Sequence, residues 1–326
     1  STTQMARAWS EASAPDRHVG QVLGGYEVLR KVAEGGMGVI YEGRHAKLGR
    51  RGAIKVLKPE YCQSEDVVER FYQEARAVNE IHHENIVDIY DFGREADGRV
   101  FFVMEFLEGE SLGARVSRGP LSFAEVMPIF EQVVRALKAA HEKGFVHRDL
   151  KPDNIWLKRR DDGGVDVRLL DFGIAKLVGL EGAKEKLTRT GAIIGTPTYM
   201  SPEQINGGPT IDGRTDIYSL GIILYELFTG TTPFQGEALA AIMMGHLFNE
   251  PPPLTGLPPE LGVPDGVAQI VARMLAKEPN ERYASVGDVL SDLRAVAQNR
   301  EPTVVSKLDR ERPRSLATGD RKSTRL

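Results

Sequence analysis

Apolar and polar positions alternate in short bursts over the first hundred residues and then change to a longer period. YEVLRKV from Tyr26, GVIYEG from Gly38, GAIKVL from Gly52 and FFVMEF over 101–106 set β-branched and aromatic residues between glycine turns. That is the pattern of strands lying on a sheet. Between them, SEDVVERFYQEARAVNEI places Val68, Phe71, Ala75 and Val78 at helical spacing. The first hundred residues therefore read as a sheet with one helix. After Leu107 the period becomes helical: Ser122 followed by Glu125 is a capping-box pattern, and Val126, Ile129, Val133, Ala136, Leu137 and Ala140 form the stripe of one helix, with Pro128 placed to kink its first turns. DNIWL and DVRLLDF read as two strands joined by the turn DDGG, and the remainder to about residue 296 is mostly helical, with a Pro-rich connection over 251–264. Neither end is periodic. Residues 1–25 read as a flexible leader closed by a Gly pair, and residues 297–326 as a basic, disordered tail.

The polar chemistry gathers at a few places within this frame. HRDLKPDNIWL, 147–157, sets a His, an Arg, an Asp, a Lys and an Asn ahead of an apolar strand, so the charges sit at the mouth of a core. An Asp near a Lys, with an Asn five residues on, offers a proton acceptor, an anion binder and a carboxamide oxygen for a metal, which suggests phosphate chemistry. Upstream, AEGGMGVIYEG, 33–43, continues as strand after Gly38, so its glycines fit a hairpin over phosphates better than a dinucleotide-binding turn. A plain tight hairpin would look the same. In AIKVL, period two puts Ala53, Lys55 and Leu57 on one strand face, where a lysine wants an anion unless it snorkels out to water. Glu74 borders the apolar stripe of the following helix and can hold Lys55, the alternative being a solvated helix-face glutamate.

The ordered set of glycine loop, AIK, helical Glu, HRDLKPDN, DFG and SPE resembles the protein-kinase signature, over about residues 26–296. Lys151 and GTPTYMSPE look like the serine/threonine branch, and GGYEVLRKVAEGGMGVIYEG with HHENIVDIYDFG resembles the bacterial Hanks-type kinases. The resemblance implies an α+β, bilobal fold: an antiparallel β-sheet N-lobe over 26–107 with one main helix, and a mostly α-helical C-lobe over 108–296. It implies ATP and Mg2+ as cofactors, with Mn2+ able to substitute, and transfer of the γ-phosphoryl group to protein Ser or Thr hydroxyls, the chain's own included.

Roles follow by resemblance. Asp149 would orient or accept the proton of the attacking hydroxyl, Lys151 would neutralise the transferring group, and Asn154 with Asp171 would hold the metal. Lys55, steadied by Glu74, would bind the α- and β-phosphates beneath the loop Ala33, Glu34, Gly35, Gly36, Met37 and Gly38. The adenine would lie between Ile40, Ala53 and Trp156, with Met104 before a hinge whose Glu105 carbonyl and Leu107 backbone bind its edge. Thr196 would position the acceptor, and Thr188 and Thr190 are the candidates for activating self-phosphorylation, since Arg148 and Lys176 are two cations able to face them. Val78, Ile89, His147 and Phe172 match the family's lobe-spanning column, Glu203 and Arg282 its buried ion pair, and Asp216 the acid that anchors the catalytic loop. Ala33 for the usual first glycine, Ser201 for alanine in the SPE triplet and the bulky Trp156 depart from the pattern without removing a reactive group.

Composition adds mainly exclusions. A formal charge of -4 argues against a nucleic-acid partner, and a lone Cys62 excludes an intramolecular disulfide framework. The run LGIILYELF is too short to span a bilayer and contains Glu226, so it reads as a buried core helix. The resemblance implies a cytoplasmic kinase domain, with room for a membrane anchor or sensor outside this chain, and ATP, protein substrates and a transient homodimer for trans-autophosphorylation as its partners. A nucleotide-binding scaffold without turnover and a small-molecule phosphotransferase of the same fold are the rivals. The complete set Lys55, Glu74, Asp149, Asn154 and Asp171 stands against the first, and the segment from Asp171 to Glu203 against the second.

Overall fold

The computed structural model describes residue 16 and residues 18–172, 197–208 and 211–302. Six strands make one antiparallel sheet in the order β1-β2-β3-β4-β6-β5: β1 (Val22–Leu23), β2 (Tyr26–Glu34), β3 (Gly38–His45), β4 (Arg51–Leu57), then, after the helix α1 (Glu65–Ile81), β5 (Ile89–Arg94) and β6 (Val100–Glu105). The sheet is two-sided. Tyr26, Val28, Tyr41, Ile54, Val56, Phe101 and Val103 form a small core on one face, whereas Ala53, Leu57, Phe102 and Met104 face α1 and join the main core of the molecule. The stripe read from the sequence meets that second face, for Val68, Phe71, Ala75 and Val78 are all buried.

A short sheet, β7 (Glu110–Ser111), β8 (Ile155–Arg159) and β9 (Val165–Leu169), lies at the lobe junction, interrupted in sequence by α2 (Leu112–Val116) and α3 (Phe123–Glu142). Ser122 caps α3 with the reciprocal Glu125 contact expected of a capping box, and the helix runs on through Pro128. The C-lobe is completed by α4 (Pro202–Asn206), α5 (Gly213–Thr229), α6 (Leu239–Phe248), α7 (Gly266–Met274) and α8 (Val286–Ala297). Helix α5 is buried on nearly every side, which explains why LGIILYELF carries so little polarity.

The folded unit extends past both boundaries read from the sequence. Residues 18–25 belong to the N-lobe: Leu23 and His18 are buried, and the Tyr41 hydroxyl donates to the Asp16 carboxylate. A two-residue strand fixed by one leucine leaves no periodicity to detect. At the other end Arg300 N–H bonds the Ala295 carbonyl and Pro302 is buried, so the tail expected from 297 is packed as far as 302.

Candidate active site

The catalytic segment after α3 is held from beneath. Asp216, fully buried on α5, accepts hydrogen bonds from the His147 and Arg148 backbone N–H groups, both at 2.9 Å, and pairs with His141 Nε2 at 2.7 Å. His141 is thereby structural. Burial alone would raise the Asp216 pKa, but these partners hold the carboxyl below its ordinary value. Arg148 can therefore adopt φ 65°, a left-handed conformation uncommon for a side-chain-bearing residue, because its N–H is tied down.

This anchoring groups Asp149, Lys151 and Asn154. Lys151 Nζ lies 3.5 Å from Asp149 Oδ2, and Asn154 Nδ2 donates to the Asp149 carbonyl at 2.8 Å and to Oδ2 at 3.1 Å. The amide nitrogen of Asn154 is committed to Asp149, which leaves Oδ1, an oxygen donor, for a cation. Asp149 and Lys151 line a cavity of about 220 Å³ together with Arg148, Asp153, Thr198 and Tyr199.

A second group comes from three distant segments. Lys55 on β4 places Nζ 2.8 Å from Asp171 Oδ1 and 3.6 Å from Glu74 Oε1 of α1. Burial opposes the charge on Lys55, yet the two carboxylates outweigh it and raise its pKa. Burial pushes Glu74 up to about 7 against the pull of Lys55, while Asp171, whose side chain keeps 35% exposure, is lowered by Lys55 and then by Lys151. Asp171 thus carries the firmer negative charge and links the two groups electrostatically. Its φ of 47° is the second left-handed conformation at the site. Phe172 next to it stacks obliquely on His147 at 4.6 Å, and His147 Nε2 meets the Leu170 carbonyl at 3.0 Å. Burial lowers the His147 pKa, so this histidine is a packed, neutral group as expected. Phe172, Val78 and Ile89 lie in one continuous core.

The glycine loop closes the roof. Ala33 pairs with Ile40 and Glu34 with Val39, while Gly35 N–H bonds the Gly38 carbonyl at 2.8 Å, leaving Gly36 and Met37 at the tip. A Cβ on Gly38 would stand 2.7 Å from the Val56 carbonyl, so this position is closed to side chains. Glu34 is tied by its carboxylate to Lys31 and Lys58, at 2.6 and 3.1 Å, and so turns its side chain to the lobe. Ala53 and Met104 are cross-strand partners; Ile40 and Leu107 pack against the same core, and Ile40, Leu107 and Trp156 are half-buried. A larger cavity of about 540 Å³, bounded by His18, Leu57, Cys62, Arg94 and Arg99, shares no lining residue with either group.

Thr188, Thr190, Thr196 and Lys176 lie outside the described residues. The sequence reading missed Arg168, whose Nε contacts Glu105 Oε2 at 3.2 Å beside the hinge. The available signal was weak: Arg168 alternates with the buried Val167 and Leu169 and so lies on the other face of its strand, beside Trp156.

A sheet-roofed cleft that brings a lysine, a paired glutamate and an aspartate over an Asp-Lys-Asn cluster defines a phosphoryl-transfer class of site. The chain belongs to the protein kinase domain family, whose model matches residues 26–292. It is 45% identical over 273 residues to the serine/threonine-protein kinase Pkn1 of Myxococcus xanthus, covering 84% of this chain and 38% of that protein. It is 40% identical over 275 residues to the serine/threonine-protein kinase PknL of Mycobacterium tuberculosis, covering 84% and 66%. The chain thus spans well under half of Pkn1 and about two thirds of PknL. Among solved structures, the Mycobacterium tuberculosis PknI kinase domain superposes with a TM-score of 0.65 at 27% identity, covering 85% of this chain and 98% of that one.

Proposed function

We propose that the chain is the catalytic domain of a serine/threonine protein kinase that moves the γ-phosphoryl group of ATP to protein hydroxyls, its own included. The observation that carries the reading is the Lys55 ammonium held between Asp171 and Glu74, over an Asn154 whose amide nitrogen is turned to Asp149. The residues fit ATP and a magnesium ion: Lys55 and the loop backbone suit phosphates, and the Asp171 carboxylate with Asn154 Oδ1 forms an all-oxygen set for a hard cation, Mn2+ included. Bound together, ATP and the cation supply the phosphoryl group and neutralise part of its charge.

The chain's own groups do the rest. Asp149 takes the hydrogen bond of the acceptor hydroxyl and fixes its direction, Lys151 faces the charge that develops, and Thr196 sets the acceptor in register. The Glu105 carbonyl and Leu107 N–H take the adenine edge, between Ile40, Ala53 and Trp156. Two copies meet transiently when Thr188 or Thr190 of one is the acceptor of the other. Among the described residues no helix is long and apolar enough to cross a membrane. ATP as donor places the reaction in the cytoplasm.

The test is transfer from labelled ATP to a generic protein acceptor by wild type and Asp149→Asn. Wild type labels serine or threonine, and the variant binds nucleotide but loses about 10² to 10⁴ in rate. Nucleotide binding by wild type without turnover would make the chain a scaffold, and transfer confined to small molecules would move it to another phosphotransferase class.

A further inference from the structure

The short segment joining the lobes is gripped from both sides. On the N-lobe side, the register pairs Gly52 with Glu105, and Glu105 N–H bonds the Asp88 carbonyl at 2.8 Å. Arg51, next to Gly52, lies 4.2 Å over the Phe106 ring and reaches Glu108 Oε1 at 2.7 Å. On the C-lobe side, Trp156 of β8 and Arg168 of β9 are direct cross-strand partners. Opposed residues of an antiparallel pair point to the same face. Both reach the same short segment: the Trp156 indole N–H donates to the Glu108 carbonyl at 3.1 Å, and Arg168 Nε donates to Glu105 Oε2 at 3.2 Å. Gly109 then passes so close to β8 that a Cβ would collide with the Leu157 carbonyl.

We propose that Arg168, acting with Trp156 and Arg51, is a positioning residue for nucleotide binding: it holds the Glu105–Glu108 backbone so that the Glu105 carbonyl and the Leu107 N–H face the adenine edge. The inference rests on the kinase reading above and adds a role to a residue outside the reacting groups. The Arg168–Glu105 pair has side-chain exposures of 28% and 26%, against 40% and 65% for Arg51–Glu108, so it is the less screened of the two grips and the one whose loss is felt more. Because Arg168 stands three residues before Asp171, it joins the adenine end of the cleft to its metal end through one strand. It belongs to neither the Lys55–Glu74–Asp171 group nor the Asp149–Lys151–Asn154 group. Its loss therefore raises the dissociation constant for ATP and the KM for ATP while leaving kcat at saturating ATP and the KM for the protein acceptor in place.

The test is a double-mutant cycle on Arg168→Ala and Glu105→Ala, read by calorimetric titration with ATP and Mg2+ and by steady-state kinetics. Each single variant weakens ATP binding by about five-fold, the scale of one partly exposed ion pair, and the double variant is no weaker than either. Arg168→Lys recovers part of the loss, since the charge remains and the planar fork does not. Thermal melts accompany every variant, and if Arg168→Ala unfolds below assay temperature, Arg168→Lys with Glu105→Gln completes the same cycle. ATP affinity within two-fold of wild type in the single variants, or single effects that add in the double, would overturn the proposal. Wild type that binds no ATP would instead overturn the kinase reading, so the two failures are distinct.

Discussion

Asp216→Asn offers the most direct trial of how the catalytic segment is built. The carboxylate has no exposed surface and three donors aimed at it: His147 N–H and His141 Nε2 on Oδ2, and Arg148 N–H on Oδ1. An asparagine keeps one oxygen and replaces the other by an amide that itself donates. Whichever way the amide is turned, at least one buried backbone N–H then faces a second donor at 2.9 Å. An unsatisfied buried donor costs about 1–3 kcal/mol, and the bonds that remain lose the extra strength of a charged acceptor, together about 3–4 kcal/mol. For a domain of this size that corresponds to a melting temperature lower by about 6 °C. Freed from Asp216, Arg148 also loses the tie that holds its left-handed backbone, so Asp149 is misplaced and kcat falls with stability. Differential scanning fluorimetry and a phosphate-transfer assay at a temperature where the variant is folded give the two readings. A variant that melts within 2 °C of wild type with unchanged kcat would refute the anchoring argument.

Lys55→Met removes the cation between Asp171 and Glu74, and the expected result is a circular-dichroism melt near that of wild type with transfer abolished; gross unfolding would show a structural lysine instead. Self-phosphorylation at Thr188 or Thr190 predicts phosphate by mass spectrometry on wild type and none on Asp149→Asn, with lowered activity in Thr188→Ala/Thr190→Ala; equal phosphate on both proteins, or full activity in the double alanine protein, is the contrary outcome. Acid should destabilise the C-lobe through His246, which is fully buried and whose pKa is lowered to about 4, mainly by burial and then by Lys277. Between pH 6.5 and 4 the unfolded imidazole binds a proton that the folded one does not, so stability is complete above about pH 6.5 and is lost as pH falls, by up to about 2 kcal/mol between pH 7 and pH 5. The melting temperature of His246→Gln should therefore fall less steeply over that range than that of wild type, and parallel slopes would exclude His246 as the cause.

The elements that a strong period writes into the chain were legible. Helix α1 announced both its limits and its buried stripe, and the strands around Lys55 and Met104 followed from β-branched runs between glycines. The faces of Lys55 and Glu74 were legible as well, one from the period of its strand and the other from the edge of a helix stripe, and the two side chains meet, whereas Asp171 was singled out by resemblance alone. What stayed hidden depends on contacts between segments far apart in sequence. Glu42 is buried on β3 because Arg30 and Arg51 reach it from the two flanking strands, a compensation no local window contains. Arg168 was overlooked for the same reason, since its partner Glu105 lies 63 residues away. Helix α6 misleads in the opposite sense: it is strongly apolar, yet Leu239, Met244 and Phe248 are exposed.

The Glu203–Arg282 pair bears on the order in which the protein is made. Arg282 donates through both terminal nitrogens to the Glu203 carboxylate, at 2.7 and 2.8 Å, and is itself almost fully buried. Glu203 opens the helix that directly follows the Pro197–Tyr199 turn beside the acceptor cavity. A carboxylate in that setting is costly until its guanidinium arrives. Arg282 leaves the ribosome 79 residues after Glu203, so the wall of the acceptor site cannot settle while synthesis has reached only the middle of the C-lobe. The N-lobe sheet waits less, since its longest-range pairing, β4 with β6, is complete once Glu105 has been made. In a nascent chain every strand of the roof is therefore present well before the residue that neutralises Glu203 beside the cavity.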